Sequence, residues 1–153
     1  MPYPLTLKVS VLIVSRLVND NFFDTNIIIY AYSHDEPNKQ SIAKNLFKKN
    51  NPVISTQVLG EFSNVLRKKF RCQYAEIAMA VTQITHLCQV IIITSDNIIS
   101  ALVLADKYGY QFYDGLILAT ALAKNCARVY SEDLQHGQLI ESSLLIQNPF
   151  LAE

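Results

Sequence analysis

The sequence predicts an α/β domain in three layers: a central, mostly parallel sheet of four to five strands, flanked by helices. Two observations carry this expectation. Residues 21–24, 52–55, 90–94 and 127–131 form short apolar segments bounded by polar or turn residues, as strands buried on both faces do. Between them, apolar residues recur at helical spacing, and strands that alternate with helices build parallel sheets.

The helical stretches follow in order. Residues 41–49 carry Ile42, Ala43, Leu46 and Phe47, with Pro37 placed for a first turn. Residues 57–70 set Val58, Leu59, Phe62, Val65, Leu66 and Phe70 on one face. Residues 74–88 continue with Ile77, Ala78, Val81, Ile84 and Leu87. Residues 97–108 carry Ile98, Ile99, Leu102, Val103 and Ala105, and Gly109 stands as a stop. Residues 113–125 add Ile117, Leu118, Ala121 and Leu122. A further strand is expected at 143–146, ended by Asn148 and Pro149.

A length of 153 residues suits one domain. Half of the chain is apolar, so a core can form without disulfides or a structural metal. Charged residues make up 17%, below the roughly 25% usual in soluble domains. Much surface is therefore buried, within the domain or against a partner. Lys and Arg number 13, as do Asp and Glu, so no global positive field draws the chain to nucleic acid. Binding of that kind needs a local patch. Cys72, Cys88 and Cys126 are odd in number and lack CxxC spacing, which fits a reducing, cytoplasmic setting better than a disulfide framework or a zinc site. His34, His86 and His136 lack ligand spacing too, and the eight tyrosines read as core and rim residues rather than as a base-stacking platform. Near the N-terminus the cleanest apolar run is 9–14, far short of the roughly 20 residues that span a membrane. The first 20 residues read as an appendage, either an extra strand or an over-extended start.

In open parallel sheets, ligands bind beyond the carboxyl ends of the strands, and four acidic residues are expected there. Asp24 ends the first strand. Glu61 lies in the early turns of the helix after the second. Asp114 opens the helix before the fourth, and Asp133 follows that strand. Asp114 stands three, four and seven residues before Ile117, Leu118 and Ala121, on an apolar face where an unpaired carboxylate is costly. Each residue also has an ordinary reading: Asp24 as a helix cap, Asp114 as a helix-start acid, Glu61 as an exposed helix residue, Asp133 as a turn residue. Gathered at one sheet edge, they repel one another and call for a cation. Carboxylates without His or Cys partners suit Mg²⁺ or Mn²⁺.

At these residues the sequence resembles the PIN-domain nucleases, and among them the VapC-type toxins of toxin–antitoxin pairs. The likeness rests on Phe23-Asp24-Thr25-Asn26, on Ser55-Thr56-Gln57-Val58-Leu59-Gly60-Glu61-Phe62, on Tyr113-Asp114-Gly115-Leu116-Ile117-Leu118-Ala119, and on Ser131-Glu132-Asp133-Leu134-Gln135-His136-Gly137. It runs from about Asn21 to Phe150, which leaves residues 1–20 as an N-terminal extension and 21–153 as the PIN-like domain. The resemblance implies an acidic metal site, endonuclease activity on structured RNA, a homodimer and often an inhibitory antitoxin partner; the short apolar run already speaks for no membrane. Asp24, Glu61 and Asp114 match the three acids of the family motif, and Asp133 matches its more variable fourth. Thr25, Asn26 and Ser131 fall where the family has polar residues beside the site.

The chemistry expected is metal-assisted phosphodiester hydrolysis, with Asp24 and Asp114 binding Mg²⁺ or Mn²⁺ directly and Glu61 and Asp133 through water or at a second ion. Arg67, Lys68, Lys69 and Arg71 form the densest basic run, a candidate RNA-backbone contact or a solvated helix end. Two other readings compete. A haloacid-dehalogenase-type phosphatase also ends its first strand in Asp, but it needs a second Asp where Asn26 stands. A catalytically silent RNA- or protein-binding module of the same fold has no reason to keep four mutually repelling charges.

Overall fold

In the computed structural model, residues 19–152 are described. The segment 1–18, most of the expected extension, lies outside them. Six strands form one sheet: β1 (Asp20–Phe23), β2 (Asn51–Ser55), β3 (Gln89–Ile91), β4 (Arg128–Tyr130), β5 (Leu139–Ile140) and β6 (Leu144–Gln147). Their order is β3-β2-β1-β4-β6-β5. All neighbours pair parallel except β5 with β6. The α/β class and the mostly parallel sheet are as expected, with one more strand than the sequence suggested. That strand, β5, has two residues, too few to carry a periodicity.

Six helices are described: α1 (Thr25–Tyr32), α2 (Pro37–Lys49), α3 (Thr56–Lys68), α4 (Tyr74–Leu87), α5 (Ser95–Tyr108) and α6 (Phe112–Ala123). None is long and apolar enough to cross a membrane. Their starts are chemically marked. Asp24 caps α1 by accepting from the Thr25 amide, and Ser55 caps α3 by accepting from Val58. Thr94 and Asn97 cap α5 reciprocally, and Glu76 accepts from the Gln73 amide at the start of α4. Gly109 ends α5 in the left-handed conformation, φ 73°.

Two departures from the expected strands have local causes. The strand expected at 90–94 leaves the sheet after Ile91, because the Ile93 amide donates to Thr56 Oγ1 at 3.2 Å and Thr94 is already the cap of α5. The β5–β6 connection is a tight hairpin: Glu141 and Ser142 both have positive φ, 47° and 56°, and the Ser143 amide donates to the Ile140 carbonyl at 3.1 Å. Such a turn ordinarily uses Asn-Gly. Here Tyr108 and Lys107 hold the Glu141 carboxylate at 3.0 and 2.6 Å, and the Glu141 amide returns a bond to Tyr108 Oη.

The core lies where the sheet meets the helices. Phe22 and Phe23 of the central strand are fully buried, as are Val53, Ile54, Val129 and Ile146 beside them. Helix α6 is buried from Gly115 to Ala121, wedged between the sheet and α5. At their crossing, a Cβ on Gly115 would lie 2.5 Å from the Ala101 carbonyl oxygen and 3.1 Å from Ala105 Cβ. The close approach of the two helices therefore requires glycine, and it fixes the first turn of α6, which carries Asp114. Gly115→Ala should destabilise the protein by roughly 1–3 kcal/mol, lowering Tm by about 2–4 °C per kcal/mol. Gly60, where an added methyl would meet nothing within 4 Å, is the control: Gly60→Ala should be neutral or stabilise by up to about 1 kcal/mol. Thermal unfolding of both variants checks this; an unchanged Tm for Gly115→Ala would refute it.

Candidate active site

The chain runs from β1 outward through β2 to β3, then returns to place β4 on the other side of β1. Between β1 and β4 the direction of winding reverses, and their carboxyl ends open a crevice where ligands bind in such sheets. Asp24 follows β1 directly, its amide still donating to the Tyr130 carbonyl at 3.0 Å. Ser131 and Asp133 follow β4. Glu61 stands one and a half turns into α3, and Asp114 in the first turn of α6.

Neutral donors organise the carboxylates. Ser131 Oγ donates to Asp24 Oδ2 at 2.6 Å, and the Thr25 amide to Asp24 Oδ1 at 2.7 Å. Thr25 Oγ1 donates to Glu61 Oε2 at 2.6 Å, while Gln57 Nε2 donates to Glu61 Oε1 at 2.8 Å. Asn26 Nδ2 donates to Asp133 Oδ2 at 3.0 Å. Ser131 Oγ also accepts from the Asp133 amide at 3.1 Å. Thr25, Asn26 and Ser131 thus each hold one of the acids.

Electrostatics couples the same residues. Asp24 is 8% exposed. Burial first, then the charges of Glu61 and Asp133, raise its carboxyl from 3.8 to about 6 against the pull of Ser131 and Thr25. The Asp114 carboxyl is also raised, by burial and then by Asp133 and Glu61. Exposure increases from buried Asp24 through half-buried Glu61 and Asp114 to exposed Asp133, so the site has a floor and an open rim.

The donor set suits a divalent cation. Among the described residues, no ion pair joins a Lys, Arg or His to Asp24, Glu61, Asp114 or Asp133, so their charge is uncompensated. Within the same set, Gln57 Oε1 is buried without a hydrogen-bond partner, on the amide that holds Glu61. The acids do not close on one point: no three His, Cys, Asp or Glu side chains among the described residues are gathered tightly enough to hold an ion by themselves.

Other residues at the site were not singled out by the sequence. Gln57 bridges Glu61 to the Tyr113 carbonyl, at 3.2 Å. Glu132, beside Asp133, is held by Lys39, which reaches across from α2, and by Tyr30 Oη at 2.5 Å. Its amide donates to Asn26 Oδ1 at 3.3 Å. The four-residue spacing of Gln57 and Glu61 on one helix was the available signal for the first; Lys39, 93 residues from Glu132, left none. The basic run is not brought into the acidic cluster. Arg67 donates to the Cys72 carbonyl at 3.0 Å and lies over the Tyr74 ring, and Lys68, Lys69 and Arg71 are exposed around the end of α3.

The PIN domain family matches residues 22–139, and the chain belongs to that family. Solved structures share the fold. The crystal structure of VapC20 from Mycobacterium tuberculosis, a Sarcin-Ricin loop cleaving toxin, is 24% identical with a TM-score of 0.59, covering 74% of this chain and 89% of that one. A toxin–antitoxin complex from Klebsiella pneumoniae matches at 23% identity and TM-score 0.65, over 85% and 98% of the two chains. VapBC2 from Rickettsia felis, bound to a DNA fragment from its promoter, matches at 18% and 0.61, over 84% and 98%. No curated protein sequence matches the chain.

The raised Asp24 carboxyl sets a pH dependence. The unfolded chain ionises at the lower value, so folding favours the protonated form. The resulting stability is fully present below about pH 4 and is lost as pH rises through about 6, an effect on the order of 3 kcal/mol. In EDTA, urea unfolding should show the protein less stable at pH 7.5 than at pH 4.5. Asp24→Asn, which caps α1 about equally well, should remove most of that difference. Equal pH dependence in the two proteins would refute the assignment.

Proposed function

We propose that this chain is a metal-dependent endoribonuclease that hydrolyses RNA phosphodiester bonds and serves as the toxin of a toxin–antitoxin pair. One observation carries the reading: a carboxylate buried at the switch point of a PIN-domain sheet, coupled to further acids and, among the described residues, paired with no basic group. Such a cluster raises the energy of the fold unless a cation joins it. The similar folds of a Sarcin-Ricin loop cleaving toxin and of toxin–antitoxin complexes support RNA as substrate and an antitoxin as partner.

Asp24 and Asp114 would hold Mg²⁺ or Mn²⁺ directly, with Glu61 and Asp133 engaging it through water or completing a second ion's site. When bound, the metal polarises the phosphate and lowers the pKa of a water. The protein's part is orientation. Ser131 and the Thr25 amide fix the Asp24 carboxylate, Thr25 and Gln57 aim Glu61, and Asn26 aims Asp133. Lys68, Lys69 and Arg71, with Arg67, are the proposed phosphate contacts away from the cut. A cytoplasmic homodimer is part of the proposal; the exposed apolar residues Ile99, Leu102 and Val103 on α5 support a partner surface. Residues 1–20 are proposed to lie outside the nuclease domain proper, although β1 begins at Asp20.

A second reading draws on the separation of the acids: a binding module whose carboxylates serve only its hydrogen-bond network. Incubating the purified protein with total cellular RNA, with Mg²⁺ or Mn²⁺ and with EDTA, separates the two. Cleavage should require metal and fall by orders of magnitude in Asp24→Asn. Millimolar Mn²⁺ should raise Tm in the unsubstituted protein and barely in the variant. No cleavage and no metal-induced shift would leave the binding module. For the basic run, Lys68→Gln with Lys69→Gln should weaken binding to all single strands and flatten the salt dependence by about 0.7 per lost contact. An unchanged slope would make it a solvated helix end.

A further inference from the structure

A cavity of about 580 Å³ opens beside Glu61 and extends past it, away from the other three acids. Gln57, Asn64, Ile93, Tyr113 and Leu116 line it together with Glu61. Tyr113 is 63% exposed, so most of its ring is free to meet a ligand. Phe112 meets the ring edge to face, centroids 5.1 Å apart, and the backbone beneath it is held by Gln57 Nε2, which binds the Tyr113 carbonyl while binding Glu61. One amide therefore ties the aromatic rim of the cavity to the carboxylate site.

We infer that this cavity seats one unpaired nucleobase of the RNA, next to the phosphate that is cut. The inference rests on the ribonuclease reading and names the part of the substrate that the site recognises. No Lys, Arg or His lines the cavity, so it offers a phosphate no positive partner. A neutral, flat group with an apolar face and a polar edge needs none. Ile93 and Leu116 offer an apolar wall, Tyr113 a face for stacking, and the exposed Asn64 amide both a donor and an acceptor for a base edge. Proteins that read RNA by sequence use this combination on bases splayed out of a helix. The preference it produces depends on the base, whereas the contacts of the basic run do not.

The test uses the full chain carrying Asp24→Asn, which stops cleavage, and fluorescence anisotropy with labelled strands of about 12 nucleotides, long enough for one binding site. The strands are rA, rC, rU and an abasic strand of the same length. Tyr113→Ala should weaken binding of the best-bound strand by roughly 5- to 150-fold. Tyr113→Phe and Tyr113→Trp should stay within a few-fold of the tyrosine protein. The abasic strand should be indifferent to all three, and the salt slope should not change, because no phosphate contact is lost. Asn64→Ala should narrow the spread of Kd among the three base-bearing strands. Affinities unchanged by Tyr113→Ala, equal weakening on the abasic strand, or no binding of any strand would overturn the inference. Cleavage of RNA by the unsubstituted chain is scored separately. A chain that cuts in Mn²⁺ but ignores Tyr113 loses only this subsite, and one that cuts nothing loses the nuclease reading with it.

Discussion

Like charges held at the mouth of a low-dielectric crevice constrain this molecule more than any other contact. Asp24 is placed by the central strand β1, hydrogen-bonded on both sides. It cannot retreat into solvent. Beyond burial, Glu61 and Asp133, from two other elements, raise its carboxyl, and the same two raise Asp114 on a third, so each approach raises the energy of the ionised cluster. The surrounding residues are then intelligible as responses. Ser131, Thr25, Asn26 and Gln57 supply directed donors but no positive charge, so the carboxylates are oriented without being neutralised.

Lys39 illustrates the same logic from outside. It pairs with Glu132 and lies over the Tyr30 ring at 4.5 Å, so the acid next to Asp133 is neutralised while Asp133 itself is not. Tyr30 in turn packs edge-on against Phe150, centroids 5.0 Å apart. The C-terminal tail thereby backs the loop that carries the exposed acid. An ion pair so placed contributes little to stability on its own terms, but it fixes which carboxylate of the Glu132–Asp133 pair faces the crevice.

Much of this was legible in the sequence. Apolar runs marked β1, β2 and β4, because strands buried on both faces need them. Asp24, Glu61, Asp114 and Asp133 stood out by following strands or opening helices, and the positions of Thr25, Asn26 and Ser131 came with the family motifs. What was hidden has physical reasons. The two-residue β5 is defined by pairing with β6, and its turn uses Glu141 and Ser142 where Asn-Gly would have announced it. The Lys39–Glu132 pair joins residues far apart in the chain, and a single sequence holds no trace of such contacts. The tyrosines, read together as core and rim residues rather than a stacking platform, gave no reason to single out Tyr113; only the fold sets it at a cavity beside Glu61.

The chain order of the acids has a consequence of its own. Asp24 and Glu61 come before the exposed turn at 69–73, where Arg71 has a φ of 56°, and Asp114 and Asp133 come after it. One cut in that turn divides the protein into two pieces with half of the site each. Neither piece can form the sheet alone, since β1 must slot between β2 of its own piece and β4 of the other. The molecule is in this sense naturally bipartite: its halves would be inert apart, and function would report their reunion.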